Sequence, residues 1–157
     1  MYKLTLTTAK KLLEIAEDRA RQMGLNSDIA IVDEGANLIA FYRMENAKIA
    51  GIDIAIGKAW TSVAMQMPTA NLAQTALPGG ATFGINTTNQ GEVVILGGGI
   101  PLVHDGKVVG GIGVSGGTSA QDIDVANAAV QAFESMRCHD IQYAKARIGA
   151  VKQSFTY

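Results

Sequence analysis

The dipeptide Asp105-Gly106 constrains this chain more than any other feature. It separates two apolar, β-branched runs, Ile100 to His104 and Lys107 to Val114. Asp-Gly is the preferred centre of a two-residue type I′ turn, because both central residues need positive φ. The two runs are therefore antiparallel neighbours. That pairing decides how the next motif is read. Gly111-Ile112-Gly113-Val114-Ser115-Gly116 matches G-x-G-x-x-G between a strand and a helix. A dinucleotide fold needs that strand inside a parallel βαβ unit. A strand entered from a tight hairpin does not supply one.

Elsewhere the apolar period alternates between helical and extended. Ala9, Leu12, Leu13, Ala16, Ala20 and Met23 form one helical stripe, with Thr7 as the expected N-cap and Gly24 as the stop. Ile29 to Val32 and Leu38 to Arg43 are short extended runs around Asp33-Glu34-Gly35-Ala36-Asn37, a hairpin pattern. Ile49 to Met67 is predicted as a second helix ended by Pro68, and Thr69 to Leu77 as a short third one. Beyond Pro78-Gly79-Gly80, strands are expected at Thr82–Thr88, Glu92–Leu96, Ile100–His104 and Lys107–Val114. A long final helix is expected from Ser119, with Asp122 completing a capping box. Ile141, Ala144, Ile148, Val151 and Phe155 continue a helical stripe, so residues 137–157 are predicted as a docking tail or helix. The order of elements indicates an α+β fold built on an antiparallel sheet.

With 157 residues the chain suits one domain. Thirteen basic and fourteen acidic residues leave a net charge of −1, which offers no field for a nucleic-acid backbone or an anionic membrane. No apolar run spans a bilayer, and the first residues lack a secretory apolar stretch, so a cytoplasmic location is expected. Charged residues are only 17% of the chain, against about 25% in ordinary globular proteins. So little charge leaves few groups for a wet exterior, and a homo-oligomer is the expected outcome. A single cysteine, Cys138, excludes a disulfide framework or a multi-cysteine metal site within one chain.

The residues able to carry chemistry are few. Ser115-Gly116-Gly117-Thr118-Ser119 places hydroxyls and backbone N–H groups at a helix N-terminus, an arrangement that suits an anion or simply caps the helix. Lys58 has no acid in helical register before it, since Ile54 and Ala55 hold those positions. It is either solvated or aimed into a ligand site between helix and sheet. Glu14, Glu17 and Asp18 read as a solvated helix face, and no metal site is expected. Ser115, His104 and Asp122 contain the residue types of a hydrolase triad, but no G-x-S-x-G elbow surrounds the serine.

Five segments together carry a family likeness. They are Ile31-Val32-Asp33-Glu34-Gly35, Arg43-Met44, Gly57-Lys58-Ala59-Trp60-Thr61, Gly97-Gly98-Gly99-Ile100-Pro101-Leu102, and Val109 through Gly117. In this order and spacing the chain resembles the GlcG/HbpS family, the haem-binding DUF336-type family, over about Leu4 to Met136. Within it, the chain is most similar to the C-terminal domain of PduO-type corrinoid adenosyltransferases. The resemblance implies profilin-like α/β/α layers, with a central antiparallel sheet and helices on its faces. It also implies a homo-oligomer and a haem- or tetrapyrrole-binding accessory role, with a corrinoid the lesser candidate. The linked metabolism would be B12-dependent glycerol or 1,2-diol breakdown, or glycolate use, with a corrinoid adenosyltransferase or dehydratase as possible partner. Adenosyltransferase activity itself resides in a different, N-terminal domain of those proteins.

Carried onto this sequence, the motif positions include Asp33, Gly35, Arg43, Met44, Lys58, Thr61, Ser115, Gly116 and Asp122. Arg43, Lys58, Thr61, Ser115, Gly116 and Gly117 are the ligand-binding candidates, because cations, hydroxyls and free amides meet anionic groups. His104, His139 and Met44 are the haem-ligand candidates, and Met65, Met67 and Cys138 also carry donor atoms. Some corrinoid-associated relatives have a histidine just after the second helix, where this chain reads Met67-Pro68-Thr69-Ala70-Asn71. Two other readings stand beside haem binding. One is an enzyme acting on a small oxygenated metabolite whose carboxylate is held by Lys58 or Arg43. The other is a ligand-free interaction module for a partner enzyme.

Overall fold

A computed structural model describes the backbone of residues 1–153 and the side chains of residues 1–136 and Gln142. In chain order it contains α1 (Leu6–Gln22), β1 (Asp28–Asp33), β2 (Leu38–Arg43), α2 (Ala50–Ala64), α3 (Thr69–Thr75), β3 (Gly99–His104), β4 (Lys107–Ser115) and α4 (Ser119–Gln153). Thr5 rather than Thr7 caps α1, its hydroxyl accepting from the Thr8 amide at 3.1 Å. Gly24, at φ 68°, ends the helix as expected. Its left-handed turn returns the Gly24 and Leu25 amides to the Arg21 and Ala20 carbonyls at 3.0 and 2.9 Å.

Two expectations fail between α3 and β3. Thr82–Thr88 and Glu92–Leu96 form no strand; the segment folds as turns, with 3-10 pieces at Ile85–Thr87 and Asn89–Gly91. The reason is local competition for the backbone. Thr87 and Thr88 hydroxyls donate to the Gly84 and Ile85 carbonyls at 2.7 and 2.6 Å, and Gly84, Asn89, Gln90 and Gly91 all take positive φ. An extended strand tolerates neither. Helix α2 also stops three residues short of Met67, where Gln66 turns left-handed (φ 53°), and Pro68 opens α3 rather than closing α2.

The sheet order is β2-β1-β4-β3, antiparallel throughout. Asp105 and Gly106 lie at φ 50° and 73°, the geometry required of the β3–β4 hairpin. Side chains alternate between the two faces of the sheet. Ile29, Ile31, Ile112 and Val114 bury against Leu12, Leu13, Val125 and Phe133 of α1 and α4. Ala30 and Val32 bury against Ala55, Ala59 and Val63 of α2. The result is the α/β/α layering that the family resemblance implies, on the antiparallel sheet expected from the order of elements. Helix α4 starts with a capping box, but it is Thr118–Gln121 and not Ser119–Asp122. The Thr118 amide donates to Gln121 Oε1 at 2.9 Å and the Gln121 amide to Thr118 Oγ1 at 3.3 Å. Asp122 is thereby freed for another task. The helix continues through residue 153, while the tail contacts expected of residues 137–157 lie outside the described side chains.

Candidate functional site

Glycines on β3 and β4 let α2 approach the sheet, and this approach delivers Lys58 to the C-terminal end of β4. A Cβ on Gly113 would run into the Ala55 carbonyl, and one on Gly99 into the Lys58 carbonyl. With both absent, the Lys58 side chain passes over the end of β4 and is only 2% exposed. Its ammonium donates to the Val114 carbonyl at 2.8 Å and to Asp122 Oδ2 at 2.9 Å. The other carboxylate oxygen, Oδ1, accepts from the Gly116 and Gly117 amides at 3.0 and 2.8 Å. One buried ion pair therefore ties α2, the end of β4, the glycine loop and the first turn of α4 together. A buried charge is tolerated only when paired and hydrogen-bonded, and here both conditions hold.

Next to this pair stands a second buried acid. In the sheet register Arg43, Asp28 and Ser115 form one row across β2, β1 and β4. Asp28 is 0% exposed, and among the described residues neither of its carboxyl oxygens has a hydrogen-bond partner. The Ser27 hydroxyl beside it is equally unpartnered. Burial raises the Asp28 carboxyl above its ordinary range, and the Arg43 charge opposes that shift without cancelling it. A raised acid pKa favours folding below the unfolded-state value, and that contribution disappears as pH rises through the folded-state value. Asp28→Asn is therefore expected to gain stability relative to wild type as pH increases from acid toward neutral. Urea unfolding across that range checks it; a variant that loses stability relative to wild type as pH rises would contradict the assignment.

A cavity of about 300 Å³ opens over these groups, walled by Lys48, Gly51, Ile54, Lys58, Ser115 and Asp122 among others. Gly116, Gly117 and Ser119 complete its α4 side. Of the ligand-binding candidates, the structure thus brings together Lys58, Ser115, Gly116 and Gly117. The two glycine amides are already engaged by Asp122. Thr61 is placed elsewhere, its hydroxyl accepting from the Val94 amide at 3.0 Å and so pinning the loop before β3. Arg43 donates to the Ala47 carbonyl at 3.1 Å and borders a different hollow, with Glu17 and Glu45. Met44 is buried, and its sulfur lies 3.4 Å from the Ser27 amide that donates to it. Asp33 organises the β1–β2 turn, accepting from the Gly35 and Asn37 amides, both at 2.9 Å.

His104 lies at the opposite end of β4. From Lys107 to Ser115 the strand spans about 26 Å at roughly 3.3 Å per residue, so one small ligand cannot touch both ends. The imidazole lines a cavity of about 510 Å³ with Tyr2, Lys107, Val108 and Val109. Its ring sits 4.3 Å from that of Tyr2, which in turn packs edge-on against Phe133 at 5.9 Å. Nδ1 is buried without a hydrogen-bond partner, and Nε2 is 3.6 Å from Asp105 Oδ2. The His139 and Cys138 side chains lie outside the described residues. Among those that are described, no helix is long and apolar enough to cross a membrane.

An antiparallel four-stranded sheet covered by α1 and α4 on one face and α2 on the other is a three-layer α+β fold. The chain belongs to the family described as haem-degrading protein HbpS-like, which matches residues 4–131. It is 35% identical over 133 residues to an uncharacterised 15.0 kDa protein of the dhaT-dhaS intergenic region of Citrobacter freundii, covering 85% of this chain and 94% of that one. It is 38% identical over 123 residues to the corrinoid adenosyltransferase PduO of Salmonella typhimurium. That match covers 78% of this chain but only 37% of PduO. Among solved structures, the PduOC:heme complex superposes with a TM-score of 0.80 at 37% identity, covering 83% of this chain and 95% of that one.

Proposed function

We propose that this protein binds haem and acts as a cytoplasmic accessory protein to corrinoid-dependent diol or glycerol metabolism, as a homo-oligomer. The observation that carries the reading is His104. It is the one imidazole among the described side chains, it borders the roughly 510 Å³ cavity, and its buried Nδ1 has no partner. An orphaned ring nitrogen costs free energy, which a turn of the ring toward the cavity recovers through coordination or a new hydrogen bond. Tyr2 lies against the ring with the two planes tilted by 42°, Val108 and Val109 supply apolar wall, and Lys107 offers a cation to a propionate. These residues fit a haem edge. Bound haem would supply an iron centre able to exchange electrons; the protein's part is to orient it and limit water access. Met44 is the weaker ligand, because coordination would cost it its place in the core and the Ser27 contact.

The similarity to the PduOC:heme complex supports haem over a corrinoid, and the match to PduO supports the link to corrinoid metabolism. Titration with hemin, with cobalamin as control, tests the reading. Wild type is expected to give a saturable, stoichiometric Soret change, and His104→Gln to bind about tenfold or more weakly, as for loss of a bond of about 1.4 kcal/mol or more. Absence of saturation in wild type, or equal binding by His104→Gln, sinks the proposal.

A further inference from the structure

Helix α2 carries one aromatic residue that neither the buried ion pair nor the His104 cavity uses. Trp60 is the only tryptophan of the chain, and it is half-buried. Asp53, Gly57 and Trp60 share one stripe of the helix, at i, i+4 and i+7. The missing side chain of Gly57 lets the loop before β3 seat on that stripe, since a Cβ there would come within 2.6 Å of Val94 Cγ2. Thr61 fixes the loop one turn further along, its hydroxyl accepting from the Val94 amide at 3.0 Å. Between helix and loop opens a cavity of about 400 Å³. Ile56, Trp60 and Val94 give it a half-buried apolar wall, and the two acids that line it, Asp53 and Glu92, are exposed.

The backbone donors of this loop are already used, and the acceptors of the cavity are not. The Gly91 and Glu92 amides donate to the Thr88 and Asn89 carbonyls at 2.9 and 3.1 Å, and the Val94 amide to Thr61, so they offer nothing to an anion. No Lys, Arg or His lines the cavity. Among the described residues neither the Asp53 nor the Glu92 carboxylate has an ion-pair or hydrogen-bond partner. Water satisfies two exposed carboxylates by themselves. It does not satisfy the indole and the aliphatic wall beside them, and indole is the side chain that best attracts a cation over its face. Among the described residues no group of three or more His, Cys, Asp or Glu is placed to hold a metal ion, which favours an organic cation.

We infer that this cavity binds a small organic ammonium ion with an apolar body. The cationic head lies against Trp60 in the field of Asp53 and Glu92, and the alkyl groups cover Ile56 and Val94. The volume is that of a site for a small molecule. The inference stands apart from haem binding, since this cavity shares no residue with the one at His104.

Choline and its neutral isostere, with carbon in place of the quaternary nitrogen, have the same shape; n-butylammonium and n-butanol repeat the comparison for a primary amine. Because Trp60 is the only indole, tryptophan emission of the full-length protein reads this cavity directly. At least one of the two cations is expected to change the emission saturably, with its neutral counterpart about tenfold weaker. The tighter cation shows whether the head is alkylated. Added sodium chloride should weaken the cation and spare the neutral compound, because the carboxylates are exposed. Asp53→Asn/Glu92→Gln, confined to the surface, should bring the cation to within about twofold of its neutral counterpart without changing the latter. Calcium chloride should leave the emission unchanged. No saturable change with either cation, equal affinity for cation and isostere, cation binding untouched by the double variant, or a saturable response to calcium overturns the inference.

Discussion

Replacing Asp122 with alanine lowers the unfolding free energy by about 4 to 5 kcal/mol, whereas Lys58→Met costs only about 2 to 3 kcal/mol. The asymmetry follows from what each partner keeps. Without Lys58, the Asp122 carboxylate retains the Gly116 and Gly117 amides and sits in the first turn of α4, where the helix dipole favours an anion. Without Asp122, the Lys58 ammonium stays buried with the Val114 carbonyl alone, and two amides lose their acceptor. An unpaired buried cation costs more than a carboxylate still held by amide donors. The double variant Lys58→Met/Asp122→Asn removes both charges and keeps an oxygen facing the glycine amides. It is therefore expected to be more stable than Asp122→Ala alone. Urea unfolding monitored by circular dichroism measures all three. A larger loss in Lys58→Met than in Asp122→Ala would show that the pair is held chiefly through the lysine.

This pair also marks where sequence reading stops. The hairpin at Asp105-Gly106 was legible because turn geometry is decided by two adjacent residues, and β1, β2 and α1 because their periods are short. Lys58 and Asp122 are 64 positions apart. Charge pairing in helical register spans only four residues, which leaves Lys58 either solvated or aimed at a ligand. The signal that was available is a lysine among Ile54, Ala55, Ala59 and Val63, with no local acid, in a chain so poor in charge. Such a lysine points inward, and an inward lysine requires a distant acid. Asp28 was missed for a different reason. It sits at the edge of an apolar run, where an acid ordinarily faces water, and only the packing of Gly51 on α2 against it shows that it is covered. The turn-rich stretch from Thr82 to Leu96 was misread because its Val, Ile and Thr content favours strands, while its side-chain hydroxyls bond their own backbone.

Gly113→Ala is expected to destabilise the protein by about 3 kcal/mol or more, at the upper end of overpacking costs. Strand propensity alone predicts the opposite sign, since alanine in place of a strand glycine gains roughly 0.5 to 1 kcal/mol of backbone entropy. Sterics decide. The added Cβ would overlap the Ala55 carbonyl and approach the Ala59 amide, rigid backbone atoms of α2 that cannot swing aside as a side-chain tip can. The helix must lift, and Lys58 lifts with it, away from Val114 and Asp122. Gly99 faces Gly113 across the β3–β4 ladder, and a Cβ there meets the Lys58 carbonyl on the same helix. Once one substitution has raised α2, the second meets less resistance. The double variant should therefore cost less than the sum of the singles, by about 1 to 2 kcal/mol of coupling. Ile112→Val, on the other face, should cost about 1 kcal/mol and add independently, because its loss is one buried methylene against α1 and α4. If Gly99→Ala and Gly113→Ala instead add fully, each strand moves separately, and α2 is not the rigid element that carries Lys58 to its partner.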